Sequence, residues 1–208
     1  QQGRYAFGNQ GPIAHWNLPR FAETLVPLLD KDKEKAIAEA EAALDAFSGH
    51  FQNALQQRFT AKIGLEGGAT DDWNLVKTLL TAMAEEEADF TLVFRHLSNA
   101  LESGEDQEVA RLFNDHEAIS AWMKAWRARL SEEDRGRILA LMRRANPILI
   151  PRNHRVEEAI QAGYAGDFRP FHKLNEALRS PFVERPEFAE YEAAPKPEEV
   201  VQATFCGT

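Results

Sequence analysis

The chain has 208 residues, 44% of them hydrophobic, which is enough for one sizeable domain or two small ones with a true core. A net charge of −9 with acidic and basic residues interspersed excludes a nucleic-acid footprint, which needs a basic stripe to displace counterions. There is no run of 18 apolar residues, the first 20 residues lack the basic-then-apolar order of a signal peptide, and the single cysteine, Cys206, rules out an internal disulfide framework. The expectation is a soluble, intracellular chain with no membrane and no nucleic acid among its partners.

The opening stretch "GRYAFGNQGPIAHWNL" (3–18) is rich in glycine and aromatics, with no Asp, Glu, Lys or Arg after Arg4. Beyond it, Ile13, Trp16, Leu18, Phe21, Leu25, Leu28 and Leu29 fit one helical stripe interrupted by Pro19 and Pro27, so a first helix is expected to start near Pro12 or restart at Pro19. Residues 32–61 are rich in Ala, Glu, Lys and Gln, with Ile37, Ala40, Leu44, Phe47, Phe51, Leu55 and Phe59 three or four apart: a long amphipathic helix. "GLEGGATDDWN" punctuates and caps the next helix at Thr70 or Asp71, marked by Trp73, Leu75, Val76, Leu79, Leu80 and Met83.

Another helix is expected over about 87–101 and a short one near 106–113. "DHEAISAWMKAWRARL" (115–130) sets Ile119, Trp122, Met123, Trp126 and Leu130 on one face, and the following helix opens on a Ser131 cap and stops at Asn146-Pro147. A short buried extended piece then leads through Pro151 into a helix ending at Gly163, "DFRPFHKLNEALRSPF" forms the last helix, and from Arg185 the Pro, Glu and Ala content predicts a loosely structured tail. No useful β-alternation occurs, so the fold class is all-α.

Each candidate for chemistry has a plainer explanation. Gly67-Gly68 lacks the fixed glycine offsets of a phosphate loop and suits a helix terminus. His154 with Glu157 and Glu158 shares one helix face, a spacing more often solvated or capping than metal-binding, and His116-Glu117 lacks the second histidine of a zinc-protease helix. Glu85-Glu86-Glu87 with Asp89 reads as hydrated surface, and Trp122 and Trp126 read as core rather than a stacking platform. No Ser, His and Asp arrangement emerges.

The order Gly3-Arg4-Tyr5, Phe7, Asn9-Gln10, Trp16-Asn17-Leu18 and Arg20 resembles the segment that follows the kinase-like catalytic motifs in the selenoprotein O family, whose bacterial members are called YdiU. "EEEADFTLVFRHLS" (85–98), "NPILIPRNHRVEEAIQAGYAGDFRPFHKLNEALRSPF" (146–182) and the terminal "FCGT" follow the family pattern too, so the resemblance covers essentially the whole chain. Gly11 before Pro12 and Pro151 before Arg152-Asn153 depart from it, in places that bear on turn geometry.

The resemblance implies a protein-kinase-like fold of which this chain supplies C-lobe helices. It divides into 1–18, the end of the activation segment; 19–184, the helical region; and 185–208, an extended tail. It also implies protein adenylylation, the joining of AMP from ATP to Ser, Thr or Tyr hydroxyls with Mg or Mn, by residues upstream of this chain. No catalytic, cofactor-binding or metal residue is therefore assigned here, and neither ATP nor a metal is expected to bind this chain alone. The implied partners are the N-terminal kinase-like part of the same protein and protein substrates, in bacterial cytoplasm or, for a eukaryotic member, the mitochondrion. Gly3, Arg4, Tyr5, Asn9, Gln10, Trp16, Asn17, Asn146, Pro147, Arg152 and Asn153 are expected to form the structural network of the activation segment, in which Arg4, Asn9, Gln10 and Asn17 would satisfy buried backbone groups of the opening loop and the Arg152-Asn153 pair after Asn146-Pro147 would stand on the opposing side, or else each caps its own helix. Cys206 is expected to pair with an upstream cysteine and restrain activity. The alternative class is a non-catalytic helical interaction module, working through faces such as that of the 32–61 helix.

Overall fold

The computed structural model describes residues 6–66, 69–130 and 134–202, and the chain divides into two compact units, Gln1–Arg58 and Phe59–Thr208. Among the described residues there are nine α-helices and no strand, as the apolar spacing predicts.

In the first unit a short 3-10 turn, Phe7–Asn9, leads straight into α1, Gln10–Leu29. The helix thus begins two residues before Pro12 and runs through Pro19 and Pro27, each of which forfeits a single ladder donor without ending it. α2, Lys33–Lys62, has the expected length, and its first 26 residues belong to this unit. The two helices meet antiparallel at Gly11 against Phe51 and at His15 stacked on Phe47, with ring centroids 5.6 Å apart. Gly11 is required there, because a Cβ would lie 2.6 Å from Phe51 Cε1. Of the expected α2 stripe within this unit, only Ala40 is buried; Ile37 lies 37% open, so the helix presents more apolar surface than the unit covers.

In the second unit, α3 (Thr70–Glu85), α4 (Phe90–Ser103), α5 (Gln107–Ala110), α6 (His116–Arg129) and α7 (Arg135–Ala145) pack together with the last turn of α2. Their core holds Trp126, Phe94, Ile63, Leu79, Leu97, Met123 and Met142 with almost no exposure. Trp122 and Trp126 are core as expected, stacked at 5.9 Å, with their indole N–H groups donating to Leu75 O and Ile63 O. α4 starts at Phe90, later than expected. Glu86 closes α3, Glu87 adopts a positive φ of 52°, and Asp89 then caps α4 by accepting from Leu92 N at 2.9 Å. The expected Ser131 cap and Gly67-Gly68 lie outside the described residues.

α8 (Asn153–Tyr164) and α9 (Arg169–Leu178) build a second core with Ile148, Leu149, Ala159, Leu174 and Ala177. Here the tail departs from expectation. Pro186–Tyr191 forms 3-10 turns and buries Phe188 and Tyr191 in this core, so order extends past Arg185. Two aromatic rings three residues apart outweigh a composition that otherwise favours disorder.

Candidate functional site

The richest set of buried polar groups gathers around the connection from α7 to α8, residues 146–154. α7 stops at Asn146 because Pro147 cannot continue it, and Asn146 N–H still reaches Met142 O. The connection has no regular partner strand, so its backbone is satisfied elsewhere. Ile148 N and Leu149 N both donate to Pro181 O, at 2.7 and 3.1 Å, while the two side chains enter the second core.

Asn146 is 1% exposed and ties this connection to the end of α2. Its Nδ2 donates to Lys62 O at 2.7 Å, and Lys62 Nζ returns bonds to Asn146 Oδ1 at 3.3 Å and Ala145 O at 2.9 Å. The Lys62 ammonium also lies 5.7 and 5.2 Å from the ring centroids of Phe90 and Phe94. Burial pushes the Lys62 amine below its usual range, yet the α7 carbonyl terminus favours the cation.

Arg152, a buried residue at the start of α8, forms a fork with Asp89: Nη1 donates to Oδ2 at 2.6 Å and Nη2 to Oδ1 at 3.3 Å. Burial opposes ionisation of Asp89, but the Arg152 guanidinium and the Leu92 and Thr91 N–H groups outweigh it and hold the carboxyl below its usual range. Asp89 therefore is not the hydrated surface residue expected of its acidic run. Its neighbour Glu86 is likewise engaged, accepting from Asn114 N at 2.9 Å and Asn114 Nδ2 at 2.7 Å. Beside Arg152, His154 is 9% exposed, and its Nε2 is buried with no hydrogen-bond partner among the described residues.

The remaining expected site residues are distributed as follows. Gly3, Arg4, Tyr5 and Cys206 lie outside the described residues. Asn9 holds the N-cap position of α1 without a side-chain cap bond, and Gln10, Trp16 and Asn17 lie exposed on α1, in the first unit. The backbone there pairs along the helix, so it is not a loop that needs Gln10 or Asn17 as partners. Asn146, Pro147, Arg152 and Asn153 all belong to the second unit, where the partners of Arg152 and Asn146 are Asp89 and Lys62. Asn153 is exposed and opens α8.

Sequence reasoning missed Lys62, and it read Asp89 as hydrated surface and His154 as solvated or capping, whereas Asp89 pairs with Arg152 and His154 is buried. Asp89 carried a signal, an Asp before an apolar helical run, whereas Lys62 carried none. Chemically this junction is a set of charges that already satisfy one another, suited to fixing the α4, α7 and α8 ends. Among the described residues no three His, Cys, Asp or Glu side chains converge to hold a metal ion, and no helix is long and apolar enough to cross a membrane.

A family described as Protein adenylyltransferase SelO matches residues 1–179. Proteins named Protein nucleotidyltransferase YdiU are similar along nearly all of this chain: one from Bradyrhizobium sp. is 46% identical over 99% of this chain, and one from Rhodopseudomonas palustris is 48% identical over 100% of this chain. The chain spans 43% of the length of either relative. With a match extending from the opening segment through the Asn146–Arg152 junction and α9, the chain belongs to the SelO family.

Proposed function

We propose that this chain is the helical C-terminal part of a longer protein adenylyltransferase that moves AMP from ATP to Ser, Thr or Tyr hydroxyls of proteins. The observation that carries this reading is the match of nearly the whole chain to relatives named nucleotidyltransferases, at 46–48% identity, over less than half of their length. In this reading the fold is that of a kinase-like C-lobe, and the opening segment descends from the activation segment. Transfer of a nucleotidyl group needs cations around the phosphates and a metal held by carboxylate or amide oxygens. The junction described above does not fit that role. Its carboxylate Asp89 is taken up by Arg152, and its amide Asn146 by Lys62. ATP and Mg or Mn therefore belong to the upstream part, and this chain's share is to hold that part's C-terminal support in shape.

The partners are then the upstream kinase-like part and the modified proteins, in the cytoplasm of a bacterium or the mitochondrion of a eukaryote. Cys206 is the proposed redox element, paired with a cysteine upstream; Cys206→Ala in the complete protein should abolish any oxidant sensitivity of the transfer, and unchanged sensitivity would discard that role.

The decisive experiment is transfer of labelled AMP from ATP, with Mg or Mn, by this chain alone and again with the upstream part added. Label only after addition supports a divided transferase. Label from this chain alone would place a nucleotide site within it and overturn the assignment.

A further inference from the structure

α1 has the composition of a buried helix in an exposed position. Its 20 residues carry only two formal charges, Arg20 and Glu23, and these pair with each other at 2.6 Å. A helix that is apolar nearly all round belongs in a core, because no side of it gains from facing water. Yet Phe21 is 61% exposed and Leu28 80%, with Pro12, Trp16 and Leu29 exposed as well. Phe21 and Leu28 are two turns apart and share one side of the helix, while Trp16 stands roughly 140° around from Phe21. Gly11 and His15 face α2, so open apolar surface lies on both flanks of that contact.

The unit that contains α1 has no core of its own to set against this. Among its described residues only Gly11, Ala36 and Ala40 are buried, and none of the three has more than one side-chain carbon. Apolar burial is what offsets chain entropy, and three such small groups, even with the half-buried Phe47 and Phe51, fall short of fixing two long helices. α2 shows a solvent face in the same unit: Lys33, Glu34, Lys35, Glu39, Glu41 and Asp45 are all exposed. The absent cover therefore belongs over α1.

A second copy of the chain makes a poor cover. A stable dimer buries about 800 Å² per partner, whereas one side of a helix about 30 Å long offers roughly half of that. Covering both flanks needs a concave partner, which a pair of straight helices does not supply. The relatives that match this chain along nearly all of its length are more than twice as long, so over half of such a protein stands outside it. In the transferase reading, on which this inference rests, that portion leads directly into the segment before α1, and the cover is tethered beside the face it fits. We propose that α1 is the docking surface for the upstream part of the same protein. An apolar concavity of that part receives the Phe21 and Leu28 side together with the Trp16 side, and the first unit becomes rigid only against it.

The test is hydrogen exchange, read by mass spectrometry, on this chain and on the complete protein. Amides of 14–29 should exchange at least about a hundredfold faster in this chain alone, while α4 and α6 behave alike in both. Leu28→Glu places a charge on the docking side. It should leave the thermal transition of this chain unchanged and, in the complete protein, speed exchange across α1 about tenfold, whereas Leu28→Met keeps the protection. Glu41→Ala, on the solvent side of α2, should alter neither protein. Slow exchange of α1 in this chain alone would overturn the proposal, and a doubled mass in light scattering would then identify a second copy as the cover. Equal exchange in the two proteins, or a Leu28→Glu variant as protected as its parent, would overturn it too. The transferase reading fails separately: a complete protein that protects α1 without transferring AMP keeps the docking surface and discards the activity, and one that transfers AMP with α1 unprotected does the reverse.

Discussion

Arg152 and Asp89, 63 residues apart in the chain, form a two-pronged ion pair that joins the start of α8 to the start of α4. One carboxylate thereby performs two tasks, since the oxygen of Asp89 that caps α4 through Leu92 N also accepts from Arg152 Nη2. Asp89→Asn keeps a capping oxygen but leaves a guanidinium that is 6% exposed without its counter-charge. The expected loss is about 3 kcal/mol in urea denaturation at neutral pH, the cost of breaking rather than replacing a buried pair.

The same pair sets a pH dependence. The folded-state pKa of Asp89 lies below its ordinary value, so the stabilisation is fully present above the unfolded value of about 3.9 and is lost as pH falls through the folded value. Denaturation midpoints followed downward from pH 6 should fall more steeply below that point in the parent than in Asp89→Asn. Parallel curves would mean that Asp89 does not carry this linkage.

Asn146→Ala, at a position that is 1% exposed, removes the Asn146 donor to Lys62 O and the longer of the two bonds of Lys62 Nζ, which keeps Ala145 O. A buried group left unsatisfied costs about 1–3 kcal/mol, so a loss of about 2 kcal/mol is expected. Hydrogen exchange should speed up at the end of α2 and across 146–149 before it does in α6.

Two glycines separate backbone strain from packing. Gly104, at φ 84°, closes α4 with open space around its missing Cβ, whereas Gly64, at φ 78°, would set a Cβ 2.5 Å from Ile138 Cγ2. Gly104→Ala should cost about 1 kcal/mol, the left-handed penalty alone. Gly64→Ala should add about 1–3 kcal/mol for overpacking, and the difference between the two thermal shifts measures that part.

If residues 186–191 belong to the second core, Phe188→Ala should destabilise the fold by about 3 kcal/mol. Protease cleavage within 180–195 should accelerate markedly in that variant, whereas the same change at exposed Phe182 should leave both readouts nearly unchanged.

What was legible in the sequence was whatever repeats locally. The helical period placed α2 and α6, identified Trp122, Trp126 and Met123 as core, and stopped α7 at Asn146, because each of these depends on neighbours three or four residues away. The quoted motifs also sufficed for the family. Tertiary structure alone decided the rest. It converted Asp89 from one acid in a run into the partner of Arg152, gave Lys62 a carbonyl terminus to cap, and folded Phe188 and Tyr191 of a Pro- and Glu-rich tail onto α9. A charge's role is set by what surrounds it after folding, and those surroundings come from residues 60 or more positions away, beyond the reach of any periodicity.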